Sequence, residues 1–288
     1  MTAPRLIEHF SDLADRYDVL LCDVWGVIHN GRESFPAACA ALARFKAERG
    51  PVILISNAPR PASAVRAQLA DLKVPDAAWS DFITSGDATR VLLAERAPGP
   101  AWAIGPDRDA PLYEGLGLAF ASGPQDARFI ACTGPFDDER ETPEDYRAAF
   151  EVAIGRELTM ICANPDIVVQ RGDKLIYCGG ALAQLYEQMG GEVLMAGKPH
   201  APLYRLCLDR ASERLGRAVD PARVLCIGDG VATDVLGGAR QGLDVLFVAS
   251  GIHGGEAIGE TGLDPAAVEA LLQEAGTEAA YVTTDLCW

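Results

Sequence analysis

The chain has 288 residues, 49% hydrophobic and 23% charged, which excludes a disordered or low-complexity polypeptide and predicts two domains, or one core carrying a large insertion. Lys and Arg number 25 against 41 Asp and Glu, a formal net charge of -16. Such a surface repels nucleic-acid backbones and anionic lipid, so neither nucleic acid nor membrane is expected as a partner.

The eight cysteines form no CxxC or CxxH pair, and several lie in apolar runs such as VLLCDVW and RVLCIGDG, where Cys behaves as a small hydrophobe rather than a zinc ligand. The N-terminal stretch is charged throughout, unlike a secretory signal, and nowhere do eighteen apolar residues run together. These features predict a reduced, soluble, cytoplasmic protein.

Along the chain, short apolar runs alternate with helix-period segments, the pattern of a parallel sheet covered by helices. Strands are predicted at Asp18–Cys22, Val52–Ile55 and Asp81–Thr84, and helices at Pro36–Glu48, Pro61–Leu72 and Asp87–Arg96. The middle reads differently. AWAIGP, FASG and RFIACTG are predicted as short strands broken by Gly and Pro, and LTMICANPD and KLIYCGG add two more. Between these groups Thr142, Pro143 and Asp145 signal a helix start. From Gly197 the first style returns: helices at Pro202–Leu215, Val231–Gln241 and Pro265–Glu274 alternate with strands at Arg223–Ile227, LDVLFVAS and AYVTT. The expected division is a core of residues 1–86 and 197–288 interrupted by an inserted domain of residues 87–196.

Three predicted strand ends carry polar residues, and in open α/β sheets ligands bind at the carboxyl ends of strands. Asp23 follows the first strand in LLCDVWGVIHNG; the plainer alternative is a turn aspartate satisfying backbone amides. Ser56 and Asn57 follow the second in VILISNAPR, with Arg60 close behind; they suit phosphate oxygens or an ordinary helix cap. Asp229 lies in a Gly-Asp-Gly turn and Asp234 at the start of the next helix, where an acid also suits the dipole. Three carboxylates gathered at one edge repel unless a hard cation such as Mg²⁺ sits among them. Lys198, between Gly197 and Pro199, could neutralise both the acids and a phosphoryl group.

DVWGV, SNAPR, GKP and GDGVATD in that order resemble the four-motif set of the haloacid dehalogenase superfamily. An insertion of about 110 residues between the second and third motifs, containing ANPD and YCGGAL, resembles its class IIA, NagD-like subgroup. The resemblance implies a Rossmann-like parallel-sheet α/β core with an inserted α/β class II cap, and a phosphatase of small phosphorylated metabolites such as sugar or nucleotide phosphates. It implies Asp23 as the nucleophile that forms an aspartyl-phosphate. It implies Mg²⁺ held by the Asp23 carboxylate, the backbone carbonyl of Trp25 and Asp229, with Asp234 bracing the metal shell or Lys198. Ser56, Asn57, Arg60 and Lys198 are the expected phosphate-binding residues, and Asn164, Asp166 and Arg171 candidates for leaving-group recognition. The cap is a candidate homodimer surface.

One position departs from the pattern. The family's phosphatases carry a second Asp, the general acid and base, where this chain has Trp25. An indole N–H donates a hydrogen bond but cannot shuttle a proton. His29, His200 and His253 are weighed as substitutes, each against the plainer reading of a loop histidine. Two other functions therefore stand beside the phosphatase: a phosphometabolite-binding protein with weak or no turnover, and phosphoryl transfer or another substitution through Asp23.

Overall fold

Three strands, Val19–Asp23, Val52–Ser56 and Val224–Gly228, are buried almost without interruption rather than on alternate residues, as in a parallel sheet covered on both faces. The computed structural model to which they belong describes residues 3–171, 174–260 and 262–288, with only the backbone of Gln170, Arg171 and Lys174. The chain forms two compact units: Met1–Ser56, Val65–Ile83 and Tyr204–Trp288 make the first, Asn57–Ala64 and Thr84–Leu203 the second.

The sheet of the first unit has seven strands in the order Arg5–Leu6, Tyr281–Thr283, Asp244–Val248, Val224–Gly228, Val19–Asp23, Val52–Ser56, Asp81–Thr84. The pairings from Arg5–Leu6 through Val52–Ser56 are all parallel, so the central strands end at one edge. The helix Pro36–Glu48 opens on its proline and buries Ala38, Ala41, Leu42 and Phe45. Pro265–Glu274 is capped by Asp264, whose carboxylate accepts from the amides of Ala266 and Ala267. Two elements differ from expectation. The segment after Asp229 is a wide π turn, Val231–Val235, followed by a short α-helix, Leu236–Arg240, rather than one helix. Such turns occur where a local interaction interrupts the α ladder; here the Asp234 carboxylate accepts from the amide of Gly230. The N-terminal strand and a small hairpin, Ile258–Gly259 with Gly262–Leu263, gave no sequence signal.

The second unit is built on four parallel strands in the order Val193–Met195, Met160–Cys162, Phe129–Cys132, Ala101–Ile104. Its core gathers Trp102, Tyr146, Phe150, Met160, Leu182 and Tyr186. Thr84 and Asp87 cap the helix Ser85–Ala94 reciprocally, which starts it ahead of the predicted Asp87. Thr142 and Asp145 form the same box before Arg147–Gly155. The FASG strand is absent: Phe120 makes one bridge to Ala101 and no more. Val168–Arg171 pairs antiparallel with Lys174–Tyr177, and Gly179–Gln188, whose two glycines fall in the predicted strand KLIYCGG, is a helix. No disulfide links the eight cysteines, seven of which are buried. Among the described residues no helix is long and apolar enough to cross a membrane.

Candidate active site

Asp23 ends the strand Val19–Asp23, which lies between Val52–Ser56 and Val224–Gly228. Asp229 immediately follows Val224–Gly228, and Asp234 lies in the π turn after it. The parallel register brings all three carboxylates to one edge, each offering an oxygen within 4.8 Å of the others. Their exposures are 7%, 5% and 4%. Among the described residues this is the only such gathering of His, Cys, Asp or Glu.

Local structure holds the acids in place. The Ile252 amide donates to Asp229 Oδ2 at 2.7 Å, and Gly230 N–H and the Thr233 hydroxyl donate to Asp234 Oδ2 at 3.2 Å each. Gly26 has φ +81°, and a Cβ there would fall 2.0 Å from Asp229 Oδ2; only glycine lets the backbone after Trp25 pass so close to that carboxylate. Donors to both acids favour the ionised forms, which raises the mutual repulsion. A cluster of buried, hard oxygen ligands fits a divalent cation of the Mg²⁺ type, which accepts carboxylates while keeping waters and substrate phosphate.

Ser56 ends the strand beside Asp23 and is half-buried. Trp25 is 46% exposed, its indole edge-to-face with His29 at 5.4 Å. His29 is buried, its Nδ1 accepts from the Gly31 amide at 3.1 Å, and burial pushes its pKa down to about 4. His253 accepts from the Val231 amide at 3.5 Å, and burial lowers its pKa as well. Both imidazoles are neutral near pH 7, which fits neither for donating a proton to a leaving group.

The remaining residues singled out in the sequence lie in the second unit. Asn57 and Lys198 are both buried, and the Asn57 side chain is directed to the protein itself: Oδ1 accepts from the Lys198 amide at 2.7 Å, and Nδ2 donates to the Lys198 carbonyl at 3.2 Å and to Asp166 Oδ1 at 2.8 Å. Asn57 thus fixes the Lys198 backbone. Desolvation raises the Asp166 carboxyl despite the hydrogen bond from Asn57 and the nearby Lys198 charge. Arg60 Nε lies 3.8 Å from Asp109 Oδ1, in the wall of a cavity of about 160 Å³ that Asn164, Arg108, Thr133 and Tyr177 also line. Asp109, Arg108 and Thr133 gave no sequence signal. His200 is half-buried and lies here too, and the side chain of Arg171 falls outside the described residues.

Residues 20–119 match the family model of haloacid dehalogenase-like hydrolases, and residues 195–284 match a second model described as HAD-hydrolase-like. A haloacid dehalogenase-like hydrolase from Brucella suis 1330 is 45% identical, with a TM-score of 0.85 over 98% of this chain and 100% of that one. The 5'-nucleotidase YutF of Bacillus subtilis is 25% identical over 82% of this chain and 88% of its own. The ribonucleotide monophosphatase NagD of Escherichia coli K12 is 27% identical over 81% and 88% respectively. With the gathered carboxylates, the four motifs and the insertion between the second and third, the chain belongs to the haloacid dehalogenase-like hydrolases, in their class IIA, NagD-like subgroup, as a variant with Trp25 at the usual acid/base position.

Proposed function

We propose that the protein is a Mg²⁺-dependent hydrolase of phosphate monoesters, acting on a small phosphorylated metabolite through an aspartyl-phosphate. The observation that carries this reading is the trio Asp23, Asp229 and Asp234 at the carboxyl edge of the first unit's sheet. The nucleotidase and monophosphatase among the relatives support the same substrate class.

Asp23 attacks phosphorus, and the leaving oxygen departs with the electron pair of its broken bond. Water then cleaves the aspartyl-phosphate, releasing phosphate and restoring Asp23. Asp23, the Trp25 carbonyl and Asp229 would hold Mg²⁺, which when bound would neutralise charge on the phosphoryl oxygens. Asp234 braces the Asp229 turn. Ser56 and Lys198 bind phosphoryl oxygens, Asn57 fixes the Lys198 peptide, and Arg60 completes the positive set. Residues 87–196 serve as the cap that selects the leaving group.

Trp25 favours a second reading, a slow enzyme or a phosphometabolite binder, because general acid–base catalysis is worth roughly 10²–10⁴-fold and residue 25 cannot provide it. Phosphate release from a panel of phosphorylated metabolites, with Mg²⁺ and with EDTA, tests the proposal. Metal-dependent release from wild type and none from Asp23→Asn is the expected result. Release by the variant at more than a small fraction of the wild-type rate would remove Asp23 from the role.

A further inference from the structure

Trp25, two residues after Asp23 in the chain, is 46% exposed yet supported by its own loop. Gly31 has φ +81°, and a Cβ there would lie 2.2 Å from the indole Cη2, so the ring rests directly on the Gly31 backbone. His29 meets it edge-on at 79°. The loop is closed beneath it, with the Gly26 amide donating to the His29 carbonyl at 2.8 Å. The next residue, Gly26, packs against the Asp229 carboxylate. The ring is thus supported by Gly31 and His29, partly exposed, and two residues along the chain from Asp23.

We propose that Trp25 is a stacking platform for the leaving group and that the substrates are phosphate monoesters of planar, phenol-type alcohols. The inference rests on the phosphomonoester reading above and names its substrate class. A rigid indole offers a planar group large contact area at low entropic cost, and stacking on such rings is tolerant of the partner's substitution pattern.

The chemistry of residue 25 points the same way. In the first step a bond forms between the Asp23 carboxylate and phosphorus while the bond from phosphorus to the aryl oxygen breaks. The electron pair leaves on the aryl oxygen as a phenolate, which takes its proton from water. A phenolate leaves unaided, whereas an aliphatic alkoxide needs an acid that an indole cannot be. In the second step water attacks phosphorus, phosphate departs, its surplus proton passes to solvent and Asp23 is restored. The residue that removes the general acid is therefore the one that favours a leaving group able to do without it.

Calorimetric titration of full-length protein in Mg²⁺ with phenylphosphonate and with methylphosphonate tests this, in wild type, Trp25→Phe and Trp25→Leu. Neither probe is hydrolysed, so the readout does not depend on turnover. Wild type and Trp25→Phe are expected to bind phenylphosphonate about fivefold or more tighter than methylphosphonate. In Trp25→Leu the two affinities should become equal, and a circular dichroism spectrum and melting midpoint matching wild type certify the fold. Equal affinities in wild type, or a preference that survives in Trp25→Leu, would overturn the platform while leaving the phosphomonoester reading intact. Failure of wild type to bind either phosphonate would defeat both.

Discussion

Replacing Asp234 with Asn should stabilise the metal-free protein and weaken its response to Mg²⁺. Two unit charges 4.8 Å apart repel by about 3.5 kcal/mol at an effective dielectric of about 20. Asp234 takes part in two of the three pairs of the trio. The amide oxygen of Asn can still accept from Gly230 N–H and the Thr233 hydroxyl, so the turn keeps its hydrogen bonds. Solvent and neighbouring dipoles offset much of the repulsion, leaving a gain of about 1–3 kcal/mol, or a rise of roughly 2–10 °C in melting temperature for a protein of this size. Mg²⁺ at about 100 times its Kd adds about 2.7 kcal/mol to wild type. The variant should gain less, having lost a negative charge from the site. Calorimetric melts of both proteins in EDTA and in Mg²⁺ give the comparison. A variant less stable than wild type in EDTA, with the same Mg²⁺ shift, would mean that repulsion within the trio does not limit stability.

His29 supplies a pH dependence. Its pKa in the folded protein, about 4, lies below the ordinary 6.5, so the neutral ring contributes stability that is fully present above pH 6.5 and lost as pH falls through 4. The stability difference between wild type and His29→Asn, measured by urea titration, should therefore shrink by about 3 kcal/mol from pH 7 to pH 4; a constant difference would contradict the assignment. In the second unit Phe150 is fully buried between Trp102, Tyr146 and Tyr186. Phe150→Ala should lower stability to urea by about 3–5 kcal/mol, and a loss under about 1 kcal/mol would contradict the packing.

The elements legible in the sequence were those with a local cause. Pro36–Glu48 and Pro265–Glu274 match the expected spans because a proline opens each and apolar spacing carries it through. The central strands of the larger sheet were legible because they are continuous apolar runs. What failed depended on partners distant in sequence. FASG has strand composition but only one bridge to complete, while Arg5–Leu6 becomes a strand by pairing with Tyr281–Thr283 at the other end of the chain. At the site, the gathering of Asp23, Asp229 and Asp234 followed from two neighbouring strand ends, Val19–Asp23 and Val224–Gly228, and the turn after the second. The Asn57 contact with Asp166 joins residues 109 apart, and the support of Trp25 by Gly31 is a matter of ring packing; neither leaves a pattern in sequence.

The proposed chemistry requires an aspartyl-phosphate on Asp23 in an enzyme that lacks the acid and base at residue 25. Rapid-quench kinetics with 4-nitrophenyl phosphate in Mg²⁺ test it most directly, since nitrophenolate leaves without a proton and water must then attack without a base. A burst of nitrophenol near one equivalent per site is expected, absent in Asp23→Asn, followed by steady turnover of roughly 0.001–0.1 s⁻¹ where ordinary enzymes run near 10 s⁻¹. Brisk turnover with no burst, or a burst that persists in Asp23→Asn, would contradict it.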